Sequence, residues 1–235
     1  MNRIVVAAVV LVATGAGALG YIGYLGGEVF SLVSAQAGSD VAAVFISSDM
    51  GMRTGIGPQI VRRLAADGLP VVAVNALTYF RFERTPAQAE RLLESAIERA
   101  LALPGTRRLV LVGQSFGADI LQASLARLPD ALRHRIALVV LIVPPDTTLY
   151  RASPAEIFGF GEQGPPATAT ARRLDWVPVL CIHGAEEPHS LCPELTMPNV
   201  ETVALPGGHL LNSDADSVYA AIAPQLRRLA PEHYR

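Results

Sequence analysis

The sequence has no lysine and little charge of either sign. Its 19 basic residues, all arginine, nearly balance 21 acidic ones, and they form no basic cluster. A protein that binds nucleic acid concentrates positive charge on one face, so we do not expect nucleic acid as a partner. Hydrophobic residues make up 51% of the 235 positions. A chain of this length and composition can bury one large core.

Cysteine is also scarce, since the chain has only Cys181 and Cys192. Cysteine-based metal sites need more ligands at tighter spacing, so we expect no metal, and we expect no other cofactor. Two cysteines this close, with prolines nearby, suit a small disulfide-closed loop in an oxidising compartment. Two free buried thiols are the alternative interpretation.

Charge is absent altogether from Ile4 to Gly27, a run that Glu28 ends. About 20 apolar residues span a bilayer, and a short positive start followed by apolar and then small residues is also typical of a signal peptide. The triplet Ala35-Gln36-Ala37 would serve as a cleavage site, and the glycines of the run disfavour a buried soluble helix. We predict a signal peptide or membrane anchor over residues 1–37 and one folded domain over 38–235, outside the cytoplasm.

From residue 38 onward, apolar runs alternate with segments of helical periodicity. The longest run, Ile136–Val143, is apolar throughout, as expected of a strand buried on both faces. A capping box at Thr85–Gln88 begins a helix that extends to about Leu101. This alternation predicts a mostly parallel sheet with helices on both faces. Further strands are predicted at Val41–Ser47, Pro70–Asn75, Leu109–Val112, Val179–His183 and Val200–Leu205, and further helices at about Pro58–Asp67, after Gly117 to about Leu128, and at about Asp216–Leu229.

The strand at Leu109–Val112 leads directly into Gly113-Gln114-Ser115-Phe116-Gly117. The pattern G-x-S-x-G between a strand and a helix is the nucleophile elbow of α/β-hydrolases, in which a sharp turn exposes the serine. The flanking positions must be small because strand and helix pass close to them. The sequence therefore predicts the α/β-hydrolase fold with Ser115 as nucleophile. Residues 150–173 stand where this fold usually inserts a lid, and any lid here is small.

Two later strands are followed by residues that can complete a catalytic triad. Active residues of an open α/β sheet lie beyond the carboxyl ends of its strands. Gly184-Ala185-Glu186-Glu187 follows one strand and Pro206-Gly207-Gly208-His209 follows the last, in the chain order nucleophile, acid, base. His209 would take the serine proton. Glu187 would orient the imidazole, because Gly-x-x-acid is the usual spacing after this strand, and Glu186 is the alternative acid.

The oxyanion that forms during acyl transfer needs backbone N–H donors close to the nucleophile. We expect one donor from Phe116, directly after the serine, and a second from the loop after the first predicted strand, at Asp49 or Met50. If Cys181 and Cys192 pair, their disulfide closes the loop that carries the acid. The bond would then hold the carboxylate in place.

Five stretches, FISSDMG, VVAVNALTYFRFERTP, LVGQSFGADIL, CIHGAEEPHSLCP and LPGGHLL, together resemble the VirJ/AcvB family of bacterial exported serine hydrolases. They span about residues 41–225. The resemblance implies hydrolysis of the aminoacyl ester of lysyl- or alanyl-phosphatidylglycerol at the periplasmic face of the inner membrane. Ser115 and His209 match the family's nucleophile and base.

Two loops depart from the family pattern. The family usually carries an Asp two positions before the serine that precedes the second cysteine, where this chain has Pro188 and His189. Its glycine-rich, Trp-bearing oxyanion loop is represented here by Ser48, Met50 and Met52. The first departure leaves the identity of the acid open, and the second indicates a different pocket shape.

An aminoacyl ester carries an ammonium group beside its carbonyl, and a carboxylate near the elbow could pair with that cation. Asp49 and Asp119 are the candidates, each with a purely structural alternative, and Tyr79 is a further candidate substrate contact. The implied partner is a phospholipid substrate at the membrane surface. The competing interpretations are another exported serine esterase, lipase or thioesterase, and a periplasmic interaction protein, such as a secretion-system partner, that uses the fold without turnover.

Overall fold

The computed structural model describes residues 17, 20–21, 23–35, 39–152 and 164–230. Most of the predicted signal peptide or anchor, two residues of the triplet at 35–37 and the middle of the lid segment at 150–173 lie outside the described residues. Within the described ranges, no helix is both long enough and apolar enough to cross a membrane.

Within the described residues, seven strands form one sheet. They are β1 Phe30–Val33, β2 Val41–Ile46, β3 Val71–Val74, β4 Arg108–Gln114, β5 Ile136–Ile142, β6 Val179–Gly184 and β7 Val200–Leu205. Their order across the sheet is β1-β3-β2-β4-β5-β6-β7. All neighbours pair in parallel except β1, which runs antiparallel to β3 at the edge. The mostly parallel sheet predicted from the sequence is confirmed.

Seven α-helices have both of their ends within the part of the chain that the structure describes. They are α1 Gly57–Ala66, α2 Ala76–Phe80, α3 Pro86–Leu101, α4 Phe116–Leu125, α5 Asp130–Arg133, α6 Thr168–Ala171 and α7 Ala215–Leu229. Successive residues of β2 point to opposite faces of the sheet: Val44 packs in the cluster that contains α3 and α4, and Phe45 in the cluster that contains α1 and α7. Helices therefore cover both faces, and the α/β-hydrolase architecture is confirmed.

Strand β1 and the short helices α2, α5 and α6 were not expected from the sequence. Strand β1 lies within residues 1–37, ahead of the domain boundary drawn at residue 38, yet all four of its residues pair with β3. Helix α4 ends at Leu125, three residues before the predicted end. The predicted capping box of α3 is present, with Thr85 Oγ1 accepting from the Gln88 N–H and Gln88 Oε1 accepting from the Thr85 N–H.

Candidate active site

Ser115 lies in a sharp turn between the central strand β4 and helix α4. Its backbone has φ 51° and ψ −123°, outside the regions that non-glycine residues normally adopt, as expected of a nucleophile elbow. The Ser115 N–H donates to the Ile142 carbonyl at the end of β5 (2.8 Å), which fixes the turn to the neighbouring strand. The strain places the hydroxyl beyond the carboxyl edge of the sheet.

The two glycines of the elbow are required by close packing of the backbone. A Cβ on Gly113 would lie 2.6 Å from Ala118 Cα, and a Cβ on Gly117 would lie 2.3 Å from the Ile46 carbonyl oxygen at the end of β2. Real Cβ atoms do not approach backbone this closely, so neither position accepts a side chain without displacing the chain. The two glycines of the G-x-S-x-G pattern are thus required because α4 packs closely against β2 and β4.

The loop after β6 turns Glu187 back toward the sheet. The Glu187 N–H donates to the Gly184 carbonyl (3.0 Å), and the Gly184 N–H donates to Glu187 Oε2 (3.3 Å). The Glu187 side chain is only 3% exposed. Cys181, within β6, and Cys192 form a disulfide that closes this loop, and both are fully buried. The loop holding the carboxylate is therefore tied at both ends.

The loop after β7 carries His209 and crosses closely over the end of β6. A Cβ on Gly184 would lie 2.3 Å from the Gly208 carbonyl oxygen, so a glycine is needed for the two loops to meet. Beyond the histidine, Leu211, Asn212 and Ser213 all have positive φ, between 47° and 58°. Three successive non-glycine residues in this region are strained, and the buried Leu211 side chain anchors them to the core.

These loops bring Ser115, His209 and Glu187 into one hydrogen-bonded chain. Ser115 Oγ lies 2.7 Å from His209 Nε2, and His209 Nδ1 is hydrogen-bonded to Glu187 Oε1. An ionised carboxylate can only accept, so Nδ1 donates and Nε2 is left to accept the hydroxyl proton. The alternative acid, Glu186, is exposed, while its backbone N–H donates to the Gly207 carbonyl (3.0 Å). The geometry thus places Glu187 in the acid position.

The backbone N–H groups at the start of helix α4 lie directly after the nucleophile. Phe116 is the first residue of α4, and the first N–H groups of a helix have no acceptor within it. The N-terminus of this ten-residue helix also favours negative charge. In the loop after β2, the Met50 N–H donates to Ser48 Oγ (3.2 Å). The Phe116 N–H is therefore the better supported of the predicted donors, and a donor from Asp49 or Met50 remains a prediction.

The candidate substrate contacts lie in three different environments. Burial raises the pKa of the Asp49 carboxyl, while the charge of His209 and hydrogen bonds from the Asp49 and Met50 N–H groups oppose that increase. The Asp49 carboxyl is thus within electrostatic reach of the His209 imidazole. Asp119 lies one turn into α4 and is only 3% exposed. The Tyr79 hydroxyl donates to the Gln88 carbonyl (3.2 Å), which ties α2 to α3.

Backbone strain beyond the elbow was not foreseen from the sequence. Val143, the first residue after β5, has φ 45°, an unusual value for a β-branched side chain. Its N–H donates to the Ile182 carbonyl in β6 (2.7 Å), and its side chain is buried. With Ser115 and the turn at Leu211–Ser213, strained backbone follows β4, β5 and β7. A positive φ at valine or leucine cannot be predicted from a single sequence, because no residue pattern signals it.

Solved structures of similar fold come from distant proteins. Est1E from Butyrivibrio proteoclasticus is 15% identical, with 84% of this chain and 93% of that chain covered at a TM-score of 0.58. The Pyrococcus furiosus esterase Pf2001 is 16% identical, with 85% and 92% covered at a TM-score of 0.58. XC6422 from Xanthomonas campestris, described as an α/β serine hydrolase without a lid, is 20% identical, with 86% and 89% covered at a TM-score of 0.55. At sequence identities this low, the three matches establish a shared fold and no more.

The family comparison is more specific than the structural one. A family model described as bacterial virulence protein (VirJ) matches residues 40–230, which include the serine, histidine and glutamate of the hydrogen-bonded chain and both cysteines. No curated protein matches the sequence significantly. The sheet, the elbow and the loops have the architecture of the α/β-hydrolase fold. Because the family model matches most of the chain, the protein belongs to the VirJ family of bacterial virulence proteins.

Proposed function

We propose that this protein is a serine carboxylic-ester hydrolase whose substrate is lysyl- or alanyl-phosphatidylglycerol. The observation that carries the proposal is the hydrogen-bonded chain from Glu187 through His209 to Ser115 at a strained elbow. A serine hydroxyl is a weak nucleophile until a neutral imidazole takes its proton. A buried carboxylate that fixes the imidazole tautomer completes the arrangement used for acyl transfer.

The reaction proceeds through an acyl-enzyme. Ser115 Oγ attacks the ester carbonyl carbon while its proton passes to His209 Nε2, and the carbonyl oxygen becomes an oxyanion that accepts from the Phe116 N–H. Collapse breaks the bond to the glycerol oxygen of phosphatidylglycerol, which leaves with the proton held by His209. Water then attacks the acyl-serine with His209 as base, so the free amino acid is released and the serine is restored.

The choice of an aminoacyl ester is supported by the position of Asp49. In such an ester the α-ammonium is two bonds from the carbonyl carbon, so its binding partner must lie close to the catalytic residues. The Asp49 carboxyl is in the loop beside the elbow and within electrostatic reach of His209. Asp119 is almost fully buried, which favours Asp49 as the partner of the ammonium. The resemblance to aminoacyl-phosphatidylglycerol hydrolases points to the same substrate class.

A periplasmic location is part of the proposal. The uncharged run Ile4–Gly27 would export the domain, and two buried cysteines joined in a disulfide suit an oxidising compartment. The lipid substrate would then be presented at the outer face of the inner membrane.

The test is incubation of the purified full chain with vesicles containing lysyl- or alanyl-phosphatidylglycerol, with Ser115→Ala as the matched control. We expect the wild type to release free lysine or alanine and Ser115→Ala to release neither. A fluorophosphonate probe should label the wild type and leave Ser115→Ala unlabelled.

The other outcomes separate the competing functions. Release of fatty acid without amino acid would replace the proposed substrate with an ordinary ester lipid. Folded wild-type protein that takes no label and releases nothing would refute the hydrolase proposal and favour an interaction protein on the same fold.

A further inference from the structure

The amino-terminal segment meets the domain at the catalytic edge of the sheet. Strand β1 is antiparallel to β3, so its first residue, Phe30, pairs with Val74 at the carboxyl end of β3. The chain before β1 therefore lies at the edge where the parallel strands end, and the Asn75 N–H donates to the Val29 carbonyl there (2.8 Å). This is the edge that carries the triad.

Side chains of the domain hold this segment in place. Thr78 Oγ1 donates to the Gly23 carbonyl (2.9 Å), and Gly23 itself is buried. Arg53, in the loop after β2, donates from Nη1 to the Tyr21 carbonyl (2.8 Å). The last residues of the uncharged run are thus fixed beside the loop after β2 and helix α2.

Exposed apolar side chains are concentrated at the same edge. Among the described residues, five large hydrophobic side chains are more than half exposed. Tyr21 and Leu25 lie in the segment before β1, Phe82 follows α2, and Leu210 is next to the catalytic histidine. The fifth, Leu32, lies within β1 and away from this edge. Exposed apolar groups that gather on one side of a domain mark an interaction surface.

Two of these apolar side chains are paired with arginines. The Arg53 guanidinium lies over the Tyr21 ring at 5.3 Å, and the Arg81 guanidinium lies over the Phe82 ring at 5.1 Å. Arginine beside an aromatic ring suits the level of phospholipid headgroups, because the guanidinium can bind phosphate and an amphipathic ring such as that of Tyr21 is favoured at that depth. Glu28 and Glu83, which are exposed in the same segments, limit the net positive charge. Apolar insertion is therefore the main expected attraction.

We propose that this edge, comprising Tyr21, Leu25, Phe82 and Leu210 with Arg53 and Arg81, docks on the surface of an anionic phospholipid bilayer. The uncharged run reaches the domain at this edge, so the chain that would lie in the membrane and the triad are on the same side. Cleavage at 35–37 would remove both this segment and strand β1, so the docked form retains the segment. The proposal extends the proposed function, because it brings the triad to a membrane-borne ester.

Depth-dependent fluorescence quenching tests the orientation without requiring turnover. The full chain is prepared as Trp176→Phe, which removes its one tryptophan, with Phe82→Trp, Leu210→Trp or Leu32→Trp added singly. Each is reconstituted in phosphatidylethanolamine–phosphatidylglycerol vesicles whose acyl chains are brominated near the headgroup. We expect fluorescence loss with Phe82→Trp and Leu210→Trp, and none with the matched control Leu32→Trp.

Equal quenching at all three positions would mean unspecific burial and would overturn the proposal. No quenching at positions 82 and 210 would also overturn the proposal, and would favour a protein partner as the occupant of this surface. A second readout is turnover: Phe82→Ser should slow hydrolysis of vesicle-borne ester and not of a water-soluble ester, while Leu32→Ser changes neither. If the aminoacyl lipid proves not to be the substrate, the quenching result still stands by itself.

Discussion

Replacing Glu187 by glutamine tests the assignment of the acid most directly. The carboxylate is 3% exposed and has two partners, His209 Nδ1 and the Gly184 N–H. Glutamine keeps the shape but places an amide where a charged acceptor stood. The imidazole then loses the partner that holds the proton on Nδ1, so Nε2 is no longer free to accept the proton of Ser115.

The expected loss follows from the chemistry of this triad. In serine proteases, the corresponding acid-to-amide change lowers kcat about 10⁴-fold with the geometry intact. At 1.36 kcal/mol per factor of ten, that is about 5.4 kcal/mol of transition-state stabilisation. Glu187 is buried behind the imidazole, so we expect KM to change little. Steady-state hydrolysis of a water-soluble ester provides the measurement.

Glu186→Gln is the matched control, because it makes the same chemical change one residue away on an exposed side chain. Its backbone N–H bond to the Gly207 carbonyl does not depend on the side chain. We expect near wild-type turnover from this variant and an unchanged melting temperature from both. If Glu186→Gln loses more activity than Glu187→Gln, or if Glu187→Gln loses less than about tenfold, the reasoning from the triad is refuted.

Three further predictions concern the elbow, the disulfide and the substrate pocket. Gly117→Ala should prevent stable folding, because the added methyl would lie 2.3 Å from the Ile46 carbonyl oxygen, and thermal unfolding measures this. Replacing Cys181 and Cys192 by alanine should lower the free energy of unfolding by about 2–3 kcal/mol. It should also reduce kcat, because the loop that carries Glu187 is no longer closed by the disulfide. Asp49→Asn should reduce the preference for aminoacyl over neutral esters by roughly 10- to 100-fold, which corresponds to the loss of one charged hydrogen bond. Competition between an aminoacyl ester and a neutral ester measures this preference.

Each of these predictions has its own control. Gly208→Ala adds a methyl group into open space and should melt like the wild type; equal destabilisation by both alanines would contradict the packing argument. Treatment of the wild type with reductant should reproduce the effect of the double cysteine replacement. Full activity after complete reduction would refute the idea that the disulfide positions Glu187. Unchanged selectivity in Asp49→Asn would exclude that carboxylate as the ammonium partner.

The Asp49 replacement also has a stability signature with a defined sign. Burial raises the pKa of this carboxyl, so the folded state holds its proton to higher pH than the unfolded state does. Above the unfolded pKa the ionised carboxylate costs folding free energy, and this cost reaches its full value once pH exceeds the folded pKa. Asp49→Asn should therefore melt higher than the wild type at pH 7, and the difference should shrink as the pH falls below the folded pKa.

The sequence was sufficient for the features whose spacing reflects a local constraint. The glycines of the elbow have no room for a side chain, and the Thr85–Gln88 box satisfies the first N–H groups of α3. The Gly-x-x-acid spacing alone favours Glu187 over Glu186 as the acid. The structure supplies the reason: the Glu187 N–H reaches back to the Gly184 carbonyl, so this turn directs the third residue after Gly184 inward and leaves the second exposed.

The features that the sequence did not predict depend on distant parts of the chain. The positive φ of Val143 is held by a bond to Ile182 on the next strand, and the turn at Leu211–Ser213 is held by burial of Leu211. Strand β1 has four residues, two of them exposed, and it lies close to a long uncharged run that dominates the local pattern. Only its pairing with Val71–Val74 identifies it as a strand.

The direction of strand β1 decides which side of the domain meets the amino-terminal segment. A parallel strand at this edge of the sheet would begin beside Val71, at the end opposite the triad. Because β1 is antiparallel, its first residue lies beside Val74, and the preceding chain contacts α2 and the loop after β2. One four-residue strand therefore brings the uncharged segment to the edge that carries Ser115 and His209. A hydrolase whose substrate is embedded in a membrane needs its membrane-associated segment at the same edge as its nucleophile, because the opposite orientation would turn the nucleophile away from the lipid.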